Sequence, residues 1–143
     1  MTMETSGNAK GTLVTGLIGE DVHIAGIRIL EHALRKAGFE VVALGAQVSQ
    51  EEFVGAAVES KADAILVSSL SGHADALVPG LREKCDEAGL RGIRLYLGGQ
   101  LTMAESRWEV LEATFKKVGI DAVYPPGVQV AQVVADLEAD LTV

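Results

Sequence analysis

The fold is decided by residues 12–37, which read TLVTGLIGEDVHIAGIRILEHALRKA. The run Thr12–Ile18 is short, apolar and rich in β-branched residues, which is typical of a strand buried on both faces of a parallel sheet. From Ile24 to Ala37 the apolar residues recur on one side of a helical wheel and the charged residues on the other, which predicts an amphipathic helix. The stretch therefore predicts a strand followed by a helix, and Gly38 is expected to end that helix.

The same unit of strand and helix recurs four more times along the chain. Further strands are predicted at Glu40–Leu44, Ala62–Val67, Ile93–Leu97 and Ala122–Tyr124. Further helices are predicted at Ser49–Ser60, with Ser49 and Glu52 as a capping box, at about Asp75–Ala88, at about Ala104–Val118 and from Val128 to about Leu141. Parallel strands joined by right-handed helical crossovers form a doubly wound sheet. We therefore predict a flavodoxin-like (Rossmann-like) α/β fold, with five parallel strands in the order 2-1-3-4-5 and helices on both faces.

Length and composition indicate one globular unit. The chain has 143 residues, 48% of them hydrophobic, which is enough for a single core. We expect residues 1–10 to be a flexible N-terminal tail and residues 11–143 to form the domain. No apolar run approaches the roughly 18 residues that span a bilayer, and the polar N-terminus does not resemble a secretion signal.

Charge and cysteine content narrow the class of partner. The formal net charge is −8, which disfavours phosphate backbones, so we expect no binding of nucleic acid. Cys85 is the single cysteine, which rules out an intrachain disulfide and a cysteine-based metal cluster. We expect a cytoplasmic protein.

The unusual residues follow the predicted strands. In doubly wound sheets, ligands bind at the carboxyl ends of the strands, near the switch point between strands 1 and 3. Since parallel strands end at the same edge, we expect one site to gather these loop residues: Asp21, His23, Ile24 and Gly26 after strand 1, Ser68, Ser69 and Leu70 after strand 3, Gly98, Gly99 and Gln100 after strand 4, and Tyr124, Pro126 and Gly127 after strand 5.

The tripeptide from Asp21 to His23 allows two interpretations. A carboxylate bonded to one imidazole nitrogen leaves the other nitrogen free to bind a metal, which makes His23 a candidate ligand. Alternatively, Asp21 only caps the following helix and His23 is a surface histidine. The spacing leaves both open. No further ligands stand close enough in sequence for a zinc site, so a bound metal would come with a cofactor.

The glycines and serines of these loops allow alternatives as well. Gly26 lies inside a helical pattern, either for a ligand to approach closely or for the helix to pack on its neighbour. Ser68 and Ser69 can cap a turn or bond a heteroatom of a ligand. Gly98 and Gly99 either leave room for a bulky group or form a plain turn.

Two common ligand classes for this fold are excluded. The dinucleotide fingerprint Gly-x-Gly-x-x-Gly is absent after strand 1, where the glycines are Gly16, Gly19 and Gly26. A phospho-receiver domain needs an aspartate at the end of strand 3, where this chain has Ser68. The site is therefore neither a nicotinamide site nor a phosphoryl acceptor.

Together the loops read Asp21-x-His23-x-x-Gly26, Ser68-x-Leu70 and Gly98-Gly99, with 41 residues (27–67) and 27 residues (71–97) in the gaps. This arrangement resembles the cobalamin-binding signature of B12-dependent mutases and methyltransferases. The local sequences at 62–70, 81–90 and 96–99 are similar to those of the small subunit of glutamate (methylaspartate) mutase. The resemblance extends from about Gly11 to Leu141 and identifies 11–143 as a B12-binding domain.

The resemblance implies a cofactor, adenosylcobalamin, bound in its base-off form. His23 would be the lower axial ligand of cobalt and Asp21 its hydrogen-bonding partner. Gly26 would let the nucleotide tail pass the first helix, Ser68 would bond the displaced base, and Leu70 would line the slot. Gly98 and Gly99 would leave space for the tail.

The resemblance also implies a division of labour. The radical isomerisation of L-glutamate to threo-3-methylaspartate would need a larger barrel-type catalytic subunit that binds the amino-acid substrate, and this chain would be inactive alone. The alternatives are a corrinoid carrier of a methyltransferase, which usually has an added N-terminal helical segment, and a stand-alone cobalamin sensor. Only about ten residues precede strand 1, which favours the mutase subunit. The loop Ser71–Asp75 departs from the family, so His73 is expected to contact the partner or substrate, whereas His32 is expected to have no role.

Overall fold

The computed structural model describes residues 10–19, 24–101 and 107–141. Within them, one sheet contains five strands: β1 (Thr12–Leu17), β2 (Glu40–Ala43), β3 (Ala64–Ser68), β4 (Arg94–Gly98) and β5 (Ala122–Tyr124). All neighbouring strands are parallel, and their order is β2-β1-β3-β4-β5. The predicted fold and strand order are confirmed. The predicted strand positions hold to within two residues.

The helices of the described residues are α1 (Ala25–Lys36), α2 (Gln50–Ser60), α3 (Ala74–Leu77), α4 (Leu81–Glu87), α5 (Trp108–Lys117) and α6 (Val130–Leu141). Ser49 and Glu52 form the expected capping box, in which each backbone N–H donates to the other side chain, over 2.8 and 3.1 Å. Gly38 follows the end of α1 with a φ of 107°, which favours glycine. The longest of these helices have 12 residues, and none is long and apolar enough to cross a bilayer.

The helices cover both faces of the sheet. On one face, α1 and α6 pack against β-strand residues such as Leu13 and Leu66 through Leu34 and Leu137. On the other face, α2, α4 and α5 enclose a second apolar layer, which includes Val14, Phe53, Ile65, Leu81 and Phe115. Side chains alternate between faces along a strand, so each buried strand supplies both layers.

The single helix predicted at 75–88 was wrong, since the structure has two short helices there. Pro79 lacks a backbone N–H, and Gly80 has a φ of 99°, which is outside the helical range. The first helix therefore ends before these residues, and the second begins after them. The Gln50 amide group donates to the carbonyls of Leu77 and Pro79 over 2.6 and 3.0 Å. These bonds satisfy carbonyls that the break leaves without helical partners. The predicted start of the next helix, at Ala104, lies outside the described residues.

Lys10 is already attached to the body of the domain. Its backbone N–H donates to the Gly38 carbonyl over 3.0 Å, and its side-chain ammonium group forms an ion pair with Glu138 of α6 at 2.5 Å. The last residue of the predicted tail therefore joins the segment before the edge strand β2 to α6.

Candidate functional site

A pocket of about 330 Å³ opens at the carboxyl end of the sheet. Its walls are the first turns of α1, the ends of β3, β4 and β5, the loops that follow these strands, and the start of α6. It lies on the α1 and α6 side of the sheet. This is the place where doubly wound sheets bind ligands, and the volume is within the usual range for small-molecule sites.

Most of the residues selected from the sequence come together here. The lining includes Gly26, Ser68, Leu70, Gly98, Gly99, Gln100, Tyr124, Pro126 and Gly127. Two others, Ile24 and Ser69, are described by the structure but do not line the pocket. Asp21 and His23 lie outside the described residues. Each of the four segments that the sequence assigned to one edge thus contributes at least one described residue to the cavity.

The pocket also contains apolar residues that the sequence analysis assigned only to helices or the core. They are Ile27 and Leu30 of α1, Leu66 and Tyr96 of the strands, and Val130 and Val133 of α6. The apolar stripe of an amphipathic helix looks the same in a sequence whether it covers a core or a cavity. Ile27 and Leu30 follow Gly26 by one and four residues, and this closeness in sequence to a predicted site residue could have indicated that they line the pocket.

Gly26 has no described neighbour that accounts for its missing side chain. A Cβ built at Gly26 would meet no described atom within 4 Å, and the residue is exposed at the pocket wall. Packing of α1 on its described neighbours therefore does not require glycine here. The open space beside Gly26 fits a ligand that passes the first turn of α1.

Gly99 has a different reason to be glycine. Its φ is 114°, and a Cβ there would lie 2.4 Å from the carbonyl oxygen of Ser69. The chain after β3 thus occupies the space of the missing side chain. Gly98 is less constrained, since its Cβ would meet Tyr124 at an ordinary 3.5 Å. Close contact between the two loops, rather than room for a ligand, explains Gly99.

Backbone hydrogen bonds hold the rim of the pocket together. Ser69 donates to the Gly98 carbonyl over 3.0 Å, Gly72 donates to Gln100 over 3.1 Å, and Ala74 donates to Leu101 over 3.1 Å. The loops after β3 and β4 therefore continue the pairing of their strands, which gives the pocket a fixed edge.

The two neighbouring serines have different positions. Ser68 ends β3, is half-buried and lines the pocket, so its hydroxyl is available to a ligand at the wall. Ser69 is completely buried, and its hydroxyl has no hydrogen-bond partner among the described residues. A buried hydroxyl without a partner is costly. Ser69 nonetheless contributes through its backbone to the joined loops.

Two tyrosines form the part of the pocket nearest the sheet. The rings of Tyr96 and Tyr124 are 5.9 Å apart and tilted by 51°. The Tyr124 hydroxyl donates to Asp136 of α6 over 2.6 Å, and the Tyr96 hydroxyl donates to Asp140 of α6. Burial first, and then these carboxylates, raise the pKa of both phenols well above its ordinary value. Both tyrosines therefore remain neutral donors that fasten α6 to the sheet.

The other two histidines are exposed. His32 lies on the outer side of α1, away from the lining of the pocket. His73 directly precedes α3 in the loop after β3, and its backbone N–H donates to the Ser71 hydroxyl over 3.3 Å. Among the described residues, no group of three histidine, cysteine or carboxylate side chains could hold a metal ion.

Comparison with known proteins agrees with this geometry. The B12 binding domain family matches residues 11–135, which is most of the chain. The chain belongs to this family. It is 48% identical over 134 residues to the glutamate mutase sigma subunit of Clostridium tetanomorphum, covering 94% of this chain and 98% of that protein. It is 50% identical over 129 residues to the sigma subunit of Carboxydothermus hydrogenoformans, covering 90% and 94%. The resemblance seen in the sequence motifs is confirmed.

Solved structures support the fold. A cobalamin-binding protein from Desulfitobacterium hafniense superposes with a TM-score of 0.72 at 21% identity, over 90% of this chain and 58% of that one. The monomethylamine corrinoid protein of Methanosarcina barkeri gives a TM-score of 0.68 at 24% identity, over 96% and 63%. At these identities, the likeness concerns the fold.

Proposed function

We propose that this chain is the cobalamin-binding subunit of an adenosylcobalamin-dependent glutamate mutase, an isomerase with two kinds of subunit. The observation that carries the proposal is the pocket, in which Gly26, Ser68, Leu70 and the pair Gly98-Gly99 of the motif surround one cavity. The open space at Gly26 and the apolar lining fit the flat base and ribose of a nucleotide tail. Close homology to glutamate mutase sigma subunits supports the substrate class.

The residues of the pocket would hold the tail and keep water from it. Ile27, Leu30 and Leu66 offer hydrocarbon surface to the base. Ser68, at the end of β3, would form a hydrogen bond with the ring nitrogen that the base releases from cobalt. The loops after β3 and β4, which meet at Ser69 and Gly99, would form the rigid edge of the pocket against which the base lies.

The axial ligand is proposed from the sequence. His23 would bind cobalt through one imidazole nitrogen, and Asp21 would accept a hydrogen bond from the other, which orients the ring and raises its basicity. Adenosylcobalamin, when bound, supplies the radical chemistry that begins with cleavage of its cobalt–carbon bond. The part of this chain is to bind and orient that cofactor.

The remainder of the active site would belong to a partner. We propose a larger barrel-type catalytic subunit that binds L-glutamate and closes over the upper face of the cofactor. Because the nucleotide tail would fill the pocket, and the described lining residues include no charged side chain, the pocket offers no place for a dicarboxylate substrate. We place the protein in the cytoplasm, where a reducing medium suits a single unpaired Cys85.

Spectroscopy of the cobalt centre tests this function. Nitrogen-15-labelled protein loaded with cobalamin and reduced to Co(II) should show electron paramagnetic resonance coupling to a protein nitrogen. His23→Gln should abolish that coupling and weaken binding strongly. His32→Gln, an exposed histidine on α1, is the matched control and should change neither. Coupling to the cofactor nitrogen alone in the wild-type protein would overturn the assignment of His23.

A further inference from the structure

Gly19 is the point from which the chain continues from β1 toward Asp21 and His23. It is the last described residue after this strand, and Asp21 follows it by two positions in the sequence. The backbone N–H of Gly19 donates to the Val48 carbonyl over 3.0 Å. The start of the segment that contains Asp21 and His23 is therefore attached to the body of the domain.

Leu77 packs against Gly19 from the side of the sheet opposite the pocket. It is half-buried at the end of α3, next to the apolar layer that α2, α4 and α5 enclose, and it does not line the pocket. Gly19 has a φ of 78°, and a Cβ built there would lie 2.8 Å from Cδ1 of Leu77. Because glycine lacks that atom, the Leu77 side chain comes directly against the Gly19 backbone.

Gln50 holds the end of α3 in this place. Its side-chain amide group donates to the Leu77 carbonyl over 2.6 Å, and its amide oxygen accepts from the Lys84 ammonium group over 2.7 Å. Gln50 is the first residue of α2 and follows Val48, whose carbonyl binds Gly19, by two positions. The same short segment therefore holds Gly19 directly through its backbone and indirectly through Leu77.

We propose that Leu77, held by Gln50, is a positioning residue for the axial ligand of the cofactor. It rests on the proposed cobalamin-binding function, in which His23 binds cobalt. Loss of the groups that orient a metal ligand typically lowers metal affinity about 10- to 100-fold. Leu77 acts through Gly19, which precedes His23 by four residues, and not through the pocket that holds the nucleotide tail.

Binding of adenosylcobinamide to the full chain tests the proposal. This corrinoid lacks the nucleotide tail, so the pocket contributes nothing to its affinity. Leu77→Ala removes the contact with Gly19 and should weaken adenosylcobinamide binding about 10-fold, at the low end of the range for lost ligand support. In nitrogen-15-labelled protein loaded with Co(II) cobalamin, a smaller share of the cobalt should show electron paramagnetic resonance coupling to a protein nitrogen.

Leu90→Ala is the matched control for this substitution. Leu77 and Leu90 are both half-buried and pack against the same apolar layer, but Leu90 precedes β4 and so lies at the amino end of the sheet. Leu90→Ala should leave the affinity and the coupling unchanged. Leu77→Met keeps a flexible apolar side chain and should retain both as well. Circular dichroism establishes which variants are folded.

Hydrogen exchange of the cofactor-free protein provides a measurement that needs no cobalt. The Gly19 amide should exchange faster in Leu77→Ala than in the wild type or in Leu90→Ala, because its bond to Val48 loses support. Gln50→Glu keeps the shape of the side chain but loses the amide donors, so it should cause the same changes even if Leu77→Ala does not fold.

The outcomes separate the positioning role of Leu77 from the proposed function. Unchanged adenosylcobinamide affinity in the folded Leu77→Ala or Gln50→Glu variant, with or without faster exchange at Gly19, would overturn the positioning role and leave the proposed function intact. Wild-type protein that shows no coupling between cobalt and a protein nitrogen would overturn the assignment of His23 and the positioning role together.

Discussion

Thr15 of β1 donates its hydroxyl to the buried carboxylate of Glu31 of α1, over 2.5 Å. Glu31 is 1% exposed, and its second oxygen has no hydrogen-bond partner among the described residues, with the Arg28 guanidinium nitrogen Nε 3.9 Å away. Thr15 pairs with Leu66 in the sheet, and Leu66 lines the pocket. The bond therefore fixes the position of α1 on the sheet next to the candidate site.

The first prediction concerns this bond. Thr15→Val keeps the shape of the side chain but leaves a buried carboxylate without its donor, so the free energy of unfolding should fall by about 1–3 kcal/mol. Urea denaturation measures the change. Thr15→Ser retains a hydroxyl and should recover most of the loss. The double variant Thr15→Val with Glu31→Leu removes both partners and should be more stable than Thr15→Val alone, and additive effects would contradict direct coupling.

Both residues of the pair interrupt the apolar pattern of the elements in which they lie. Thr15 is a polar residue inside an apolar strand, and Glu31 lies four residues after Ile27 and three before Leu34, on the apolar side of α1. Each is an exception to its local pattern. Because a polar residue on a buried face usually has a partner, the two exceptions predict each other. The architecture itself was predictable because five buried strands leave five short apolar runs.

The broken helix illustrates a limit of periodicity. Ala74, Leu77, Leu81 and Cys85 are spaced by three or four residues, so an apolar stripe continues across the break. Pro79 and Gly80 gave a local signal, but their effect depends on the Gln50 side chain, which comes from a distant helix to satisfy the exposed carbonyls. Contacts of this kind between distant elements cannot be derived from spacing within one segment.

Cys85 should be protected in the native protein. It is completely buried in α4, and burial is the main cause that raises the pKa of its thiol above its ordinary value of 9.0. Since the thiolate is the reactive form, iodoacetamide at mildly alkaline pH should modify native protein far more slowly than urea-unfolded protein, as mass spectrometry would show. Equal rates would place Cys85 at an accessible surface.

The same thiol predicts a loss of stability at alkaline pH. Its pKa is raised in the folded state, so its contribution to stability is present below the unfolded pKa, near 9.0, and is lost as the pH rises through the folded pKa. The free energy of unfolding, measured by urea titration at several pH values, should fall above that point. In Cys85→Ala this decline should be shallower, and an identical slope would assign it to other groups.

His73 provides a prediction about the partner. It is exposed in the loop after β3. The preceding residue, Gly72, is hydrogen-bonded through its backbone to the loop after β4. His73→Ala should leave the Kd for adenosylcobalamin within about 2-fold, because the side chain does not line the pocket, and should lower turnover in the presence of the catalytic subunit. His32→Ala is the control for a surface histidine. Unchanged turnover in His73→Ala would remove this loop from the interface.

The final prediction uses Gly26, where stability and function should change in opposite directions. Glycine is a poorer helix former than alanine, and an added Cβ meets no described atom within 4 Å. Gly26→Ala should therefore raise the free energy of unfolding of the cofactor-free protein by up to about 1 kcal/mol. The same methyl group projects beside the proposed path of the nucleotide tail, so it should weaken adenosylcobalamin binding while leaving adenosylcobinamide binding unchanged.

Gly55, on the outer part of α2, is the matched control for this substitution. It is exposed, has open space at its Cβ and does not line the pocket. Gly55→Ala should raise stability by a similar amount without any effect on corrinoid binding. If Gly26→Ala stabilises the protein and binds adenosylcobalamin as tightly as the wild type, the tail does not pass α1 at this turn. The glycine would then be a dispensable residue of the helix.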